Sequence, residues 1–255
     1  MLRNVNEYLG ETFDIHCGGI DLVFPHHENE IAQSEAATGK SFARNWLHFE
    51  HLIVEGEKMS KSLGNYYTLR DITARGYDPS AIRYLLLSVP FKQQLNFTFE
   101  GLKSAETSLK RIKNFKRRLK ESRLEDGYNE KVGLMSTAAG EKFEVALDEN
   151  LNTSVALAAM FDLMREFNTA LDMGLARNRN RIELLDLLDD FDSVLGIIGE
   201  ERPETLDDEI TSLINERSQA RRMRKFDRAD EIRDTLTQRG IILEDTKEGT
   251  SWRRN

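Results

Sequence analysis

Between Phe99 and Arg123 the residues Leu102, Ala105, Leu109, Ile112, Phe115 and Leu119 recur at steps of three and four. That spacing lines up one face of an α-helix and no face of a strand. A helix this long with one apolar stripe must bury the stripe against other elements. The following sequence supplies them. Leu157, Phe161, Met164, Phe167 and Leu171 form a second stripe within 154–173, and Leu184, Leu188, Phe191, Leu195 and Ile198 a third within 180–198. With a further helix expected over 131–147, after a linker at 125–130, these stripes predict the core of a helix bundle rather than a cofactor box. The outer face of the first helix is basic: nine Lys/Arg stand against two Glu from Lys103 to Arg123, in a chain of net charge −8. Such a face is either solvated or a seat for a phosphate backbone.

The 255 residues can bury a real core, with one to two domains expected from length. A hydrophobic content of 39% with 31% charged residues, and a mean hydropathy of −0.54, describe a helix-rich soluble protein. No apolar run approaches the ~20 residues of a membrane span, and no signal-peptide pattern lies near Met1, so a cytoplasmic location without membrane contact is expected. The single cysteine, Cys17, precludes an internal disulfide and cannot complete a cysteine-rich metal site. The overall acidity argues against non-specific nucleic-acid binding by the whole surface.

Chemistry-bearing groups concentrate at residues 16–30, His-Cys-Gly-Gly-Ile-Asp-Leu-Val-Phe-Pro-His-His-Glu-Asn-Glu. Phe13, Ile15 and Cys17 alternate with Asp14 and His16, predicting a strand on which His16 faces away from Cys17. Met1–Gly10 reads as a short polar lead into it. Gly18-Gly19 permits a tight turn and close approach of backbone N–H groups to a ligand, and Asp21 follows where a carboxylate could accept from sugar hydroxyls. Pro25 fits the first turn of a helix running to Gly39, which places His26 and Glu30 at i and i+4. Imidazole and carboxylate one turn apart make two of the four ligands zinc takes, and the same spacing also suits an ordinary surface pair. Trp46 to Val54 reads as one strand containing His48 and His51, each expected to be buried and hydrogen-bonded.

Residues 55–65, Glu-Gly-Glu-Lys-Met-Ser-Lys-Ser-Leu-Gly-Asn, form a polar, glycine-bounded loop in which Lys58 and Lys61 suit a triphosphate. Two short helices are expected next: one capped by Thr68 and stopped by Gly76, the other opened by Asp78-Pro79. Gly199 to Asp207, with Pro203, is the best boundary in the second half. Beyond it come a helix with Ile210, Leu213 and Ile214 followed by basic residues Arg217, Arg221, Arg222, Arg224 and Lys225, a helix from Asp227 to Gly240, and a β-like run at 241–243. Trp252 beside Arg253 and Arg254 suits stacking on an unpaired base, or capping of a small core.

Three segments together resemble the cysteinyl-tRNA synthetases: 16–30, Lys-Met-Ser-Lys-Ser at 58–62, and 229–246 with the Gly-Thr-x-Trp ending at 249–252. The lysine-serine loop is common to class I synthetases and fixes only the class. The resemblance implies ATP-dependent activation of cysteine to cysteinyl-adenylate and its transfer to tRNA(Cys). It implies zinc on His26 and Glu30, holding the thiolate of substrate cysteine, a soft-ligand choice that excludes serine. Lys61, supported by Lys58, would contact the phosphates of ATP with its magnesium, Gly19 and Asp21 would receive adenosine, and His16 would lie beside the aminoacyl group. The basic helix and bundle would meet the tRNA stem, and Arg221, Arg222 and Trp252 the anticodon. The expected fold is an α/β remnant of a class I Rossmann catalytic domain, followed by a mainly α bundle and a small C-terminal α+β unit. The corresponding boundaries are 1–66 for the catalytic half, 67–98 for connecting stem-contact helices, 99–202 for the bundle and 203–255 for the anticodon unit.

The family's His-Ile-Gly-His-type nucleotide motif and two upstream zinc-ligand cysteines have no counterpart here, and Cys17 matches neither cysteine position. The chain therefore reads as the C-terminal portion of a synthetase, with half of the ATP site, half of the zinc site and a possible separate N-terminal half as partner. Activity of the chain alone is not expected. A cysteine:aminosugar ligase shares the zinc and loop motifs, but its small acceptor needs no anticodon reader. A non-catalytic tRNA-binding module is the other alternative.

Overall fold

A computed structural model describes residues 2–199, 208–223, 225–238, 241–246 and 249–254. The chain divides into two compact units, Met1–Gly199 and Glu200–Asn255. Residues 200–207, the expected boundary, and Gly240, the expected helix stop, lie outside the described residues.

The first unit begins with α1 (Leu2–Leu9), a helix where the sequence suggested only a polar lead. β1 (Phe13–Gly19) follows, then turns through Ile20–Leu22 and Val23–His27, then α2 (Glu28–Thr38) and β2 (Ala43–Phe49). β1 and β2 pair in parallel, with His16 opposite Trp46 and Gly18 opposite His48. The connection is a helix crossover, as parallel neighbours require. Gly39, at φ 68°, ends α2 in the left-handed conformation. The helix starts three residues later than Pro25 suggested, because Phe24 is extended (φ −132°, ψ 131°) and the backbone settles into regular α geometry only from Glu28.

The expected single strand over 46–54 is two strands in different sheets. β2 stops at Phe49, where its partner β1 ends at Gly19. The next backbone bonds go elsewhere, Glu50 N–H to Phe91 O and Ile53 N–H to Leu95 O. β3 (Ile53–Val54) then lies between β4 (Glu57–Lys58), antiparallel, and β5 (Asn96–Phe97), parallel. Glu55 and Gly56, both at positive φ, make the two-residue hairpin turn that delivers β4.

The caps fall where the sequence placed them. Thr68 and Asp71 form a reciprocal capping box on α3 (Leu69–Ala74), and Asp78 caps α4 (Pro79–Leu87) through Ser80 N–H. α5 (Phe99–Glu121) buries all six residues of its stripe. It packs with α6 (Glu130–Asp148), α7 (Thr153–Asp172) and α8 (Asn178–Leu195) around one core in which Ile112, Leu119, Met160, Phe167, Leu184 and Leu188 are fully buried. Phe143 of α6 stacks on Phe191 of α8 at 4.2 Å. No described helix is long and apolar enough to cross a membrane.

Four of the nine basic side chains from Lys103 to Arg123 meet other elements in this packing, while Lys103, Lys110, Arg117, Lys120 and Arg123 are exposed. Lys116 pairs with Asp189, Arg118 with Asn168 and Asp172, Lys113 with Asp78, and Arg111 lies over the Phe161 ring.

The second unit pairs α9 (Asp208–Arg222) with α10 (Phe226–Gln238) and adds an antiparallel hairpin, β6 (Ile241–Thr246) and β7 (Gly249–Arg254). Ile232, Leu236, Ile241 and Leu243 make its core, with Leu213 and Ile214 against it.

Candidate functional site

His16 sits on β1, His26 and His27 in the turn before α2, Glu30 in the first turn of α2, and His48 on β2. The parallel crossover folds these segments onto one face of the two-stranded sheet. His16 Nε2 donates to Glu30 Oε2 at 2.9 Å, since an ionised carboxylate only accepts. The other oxygen, Oε1, lies 3.7 Å from His26 Nε2. Two zinc bonds of about 2.1 Å at a tetrahedral angle put their ligand atoms about 3.4 Å apart, so this imidazole and carboxylate are spaced as neighbours on one divalent ion. Glu30 keeps 13% side-chain exposure and His26 51%, which leaves the pair reachable from solvent.

His27 faces the other way. It is 3% exposed, and its Nδ1 lies 2.9 Å from His48 Nε2. Burial first, and then the neighbouring His16 and His48, hold its pKa below the ordinary histidine value, so the ring is neutral at neutral pH. His16, His27 and Glu30 also bring ligand atoms within 4.8 Å of one another. Within that trio His16 Nε2 is bonded to Glu30 Oε2 and His27 Nδ1 to His48.

Gly18 makes this packing possible. A Cβ there would lie 2.5 Å from His27 Cε1 and 2.8 Å from its Nε2, closer than any side chain tolerates. Beside it, a Cβ on Gly19 would meet Asp21 Oδ1 at 2.4 Å. Asp21 is well exposed and its Oδ1 stands 3.8 Å from His51 Nε2. His48 is hydrogen-bonded as its sequence context suggested, but only half-buried. His51 is not: its side chain is 50% exposed, because it lies in the connection between two sheets rather than inside a strand.

Lys58 lies on β4 with Ile53 opposite, so only Lys61 of the two lysines belongs to the loop proper. Asn65 closes that loop, accepting from Ser60 N–H at 2.8 Å and donating to Lys58 O at 3.1 Å. Ser60 Oγ accepts from Leu63 N–H, and Gly64 N–H donates to Lys61 O. The Lys61 ammonium is left over the Tyr66 ring at 5.5 Å, with both Lys58 and Lys61 exposed. In the second unit Arg221 is exposed on α9, whereas Arg217 of the same basic run is buried. Arg222 lies in α9 and Trp252 is opposite Leu243 in the hairpin; their side chains are outside the described residues.

Sequence reasoning missed the pairing of His27 with His48 and of His16 with Glu30. The adjacent His26-His27 was the available signal: neighbouring residues at a helix entrance point apart, so one serves the surface and the other the interior.

Three family models match this chain: the class I (C) tRNA synthetase catalytic domain over residues 3–107, the DALR domain over 142–199, and the cysteinyl-tRNA ligase anticodon-binding domain over 204–253. A cysteine–tRNA ligase of Solibacter usitatus is 52% identical over 97% of this chain and 54% of its own length. Another, of Koribacter versatilis, is 45% identical over 97% of the chain and 56% of its length.

The chain belongs to the cysteinyl-tRNA synthetase family.

It spans about half the length of these curated relatives. In fold it is similar to a leucyl-tRNA synthetase of Agrobacterium radiobacter solved with tRNA and LeuAMS, at TM-score 0.55 and 18% identity over 73% of this chain and 27% of that one. Methionyl-tRNA synthetase of Mycobacterium tuberculosis with methionyl-adenylate is similar at TM-score 0.51 and 18% identity, over 73% of this chain and 40% of that one. The α/β catalytic remnant followed by a helical bundle is therefore a class I synthetase architecture.

Proposed function

We propose that this chain supplies one half of the active site and the tRNA-reading part of a cytoplasmic cysteine–tRNA ligase. The reaction is ATP-dependent formation of cysteinyl-adenylate and transfer of cysteine to tRNA(Cys). The observation that carries the reading is the His26–Glu30 pair, whose facing nitrogen and oxygen lie 3.7 Å apart on a partly exposed edge of the sheet. His26 and Glu30 would hold a zinc ion as two of its ligands, and the ion would supply Lewis-acid affinity for the substrate thiolate and with it selection of cysteine over serine.

Lys61, with Lys58 behind it, binds the phosphates of magnesium-bound ATP; the Tyr66 ring is a cradle it can leave, since an exposed cation–π contact is worth only about 0.5–1 kcal/mol. Gly19 leaves room for Asp21 to turn its carboxylate back toward the end of β1, where it accepts from the adenosine ribose. In the second unit Arg221, Arg222 and Trp252 contact the anticodon. A separate N-terminal half completes the site by covering the open face of the β1–β2 sheet, where Ile15 is 57% and Phe49 42% exposed. Units divided as 1–66, 67–98, 99–202 and 203–255 carry these tasks.

Cysteine-dependent ATP–pyrophosphate exchange tests the reading. The chain alone is expected to give none, and mixing it with the N-terminal half of a relative is expected to restore exchange that Lys61→Ala removes. Exchange by the isolated chain would overturn the assignment of half a site. A folded, stoichiometric mixture without exchange would overturn the ligase reading.

A further inference from the structure

His16 does not stand free beside the site. Its ring is enclosed by Phe13, Phe42, Trp46 and His27, with centroids 5.5, 5.6, 4.7 and 4.9 Å away. All four of these contacts are edge-on at 64° to 86°, so the imidazole plane is fixed by packing before any hydrogen bond forms. The one bond drawn from Nε2 goes to Glu30 Oε2. Glu30 itself stands on the first turn of α2 with three rotatable side-chain bonds. Nothing in a helix dictates which carboxylate oxygen faces His26. The bond to His16 does: it holds Oε2 inward and leaves Oε1 toward His26.

We propose that His16 is a positioning residue for Glu30, presenting a single carboxylate oxygen to a divalent ion shared with His26. This rests on the reading of His26 and Glu30 as a ligand pair, and it changes the role of His16 from one beside the aminoacyl group to one beneath the metal. Partners of a ligating carboxylate are worth about 10–100-fold in metal affinity, because without them the ligand must be ordered when the ion arrives. The trio of His16, His27 and Glu30 offers a competing arrangement in which His16 itself ligates. Its 2.9 Å bond to Glu30 favours positioning, since that nitrogen would have to surrender the carboxylate to reach an ion.

The test uses the full 255-residue chain and cobalt(II) or zinc(II) as the probe, with affinity from calorimetry and the cobalt visible band as a record of the ligand set. His16→Phe keeps a ring in the aromatic enclosure and removes the donor. His16→Gln keeps an N–H that reaches the carboxylate, and near-ultraviolet dichroism monitors the packing of each variant. The expected order is wild type, then His16→Gln close to it, then His16→Phe about 10–100-fold weaker, with His26→Ala losing the site. His16→Phe binding like wild type overturns the proposal. His16→Gln as weak as His16→Phe, or a cobalt band changed in His16→Gln as for a lost ligand, also overturns it. No uptake at millimolar metal by wild type, alone or mixed with the N-terminal half of a relative, or His26→Ala binding like wild type, instead removes the ligand pair on which the proposal rests.

Discussion

Replacing Gly18 by alanine tests the histidine packing directly. The new methyl carbon would stand 2.5 Å from His27 Cε1 and 3.1 Å from Leu22 Cδ1. To reach ordinary contact, the His27 ring has to move by about 1 Å. It cannot swing into solvent, because it is 3% exposed, bonded to His48 and packed on Trp46 with centroids 4.9 Å apart. Overpacking of this kind costs about 1–3 kcal/mol, and breaking the buried His27–His48 bond adds about 1–3 kcal/mol. Alanine returns about 0.4–1 kcal/mol by restricting the unfolded chain. A net destabilisation of about 1–5.5 kcal/mol follows from these ranges. Urea unfolding read by Trp46 fluorescence, in a Trp252→Phe background that leaves one tryptophan, reports on this region alone. Gly19→Ala is the control: its methyl meets only the exposed Asp21 carboxylate, which can rotate away, so the loss stays under about 1 kcal/mol. Combining Gly18→Ala with His27→Ala removes the clash, and the two effects should fall short of additive by at least 1 kcal/mol or so. An unchanged midpoint for Gly18→Ala, or strict additivity, would refute the reasoning.

Four further outcomes follow from the fold. Phe143→Ala, deleting a 4%-exposed ring stacked on Phe191, should cost about 3–5 kcal/mol in denaturant unfolding of the first unit. Asp192→Ala should cost about 2–4 kcal/mol, since its carboxylate accepts from the N–H groups of Ile197, Ile198 and Gly199, the first two belonging to buried residues; amide exchange should accelerate there first. Thr68→Ala should cost about 1 kcal/mol through the lost cap. The Thr68 hydroxyl and N–H hold the Asp71 carboxyl below its usual range. A depressed carboxyl stabilises the fold above its unfolded pKa near 3.8 and loses that contribution as pH falls through the folded value. Acid unfolding should therefore show a shallower dependence below pH ~4 in Asp71→Asn than in wild type.

Helices were readable wherever their determinants are local. The stripe Leu102 to Leu119, the Thr68 cap and the Asp78-Pro79 start each lie within a few turns of chain, and each appears where the sequence put it. The same locality placed His26 and Glu30 together, one turn apart. The strands β2 and β3 were misjudged as one run over 46–54 because apolar content there is continuous, while the division is made by distant partners, Gly19 for β2 and Asn96 for β3. α1 was missed because its residues are polar on average and its helical period spans only eight positions.

By itself, then, the sequence determined the helices, their caps, the bundle stripes and the motifs of the family, because these depend on the identity of residues separated by three or four positions. Tertiary structure alone decided the fate of the charges and the histidines. On the basic face of α5, Asp172, Asp189 and Asp78 arrive from other helices and their caps to pair with Arg118, Lys116 and Lys113. His16, His27 and His48, up to 32 positions apart, acquire their roles only when a parallel crossover stacks them in one layer. Hydrogen bonding and desolvation depend on which groups meet in space, and a linear pattern carries no record of that meeting.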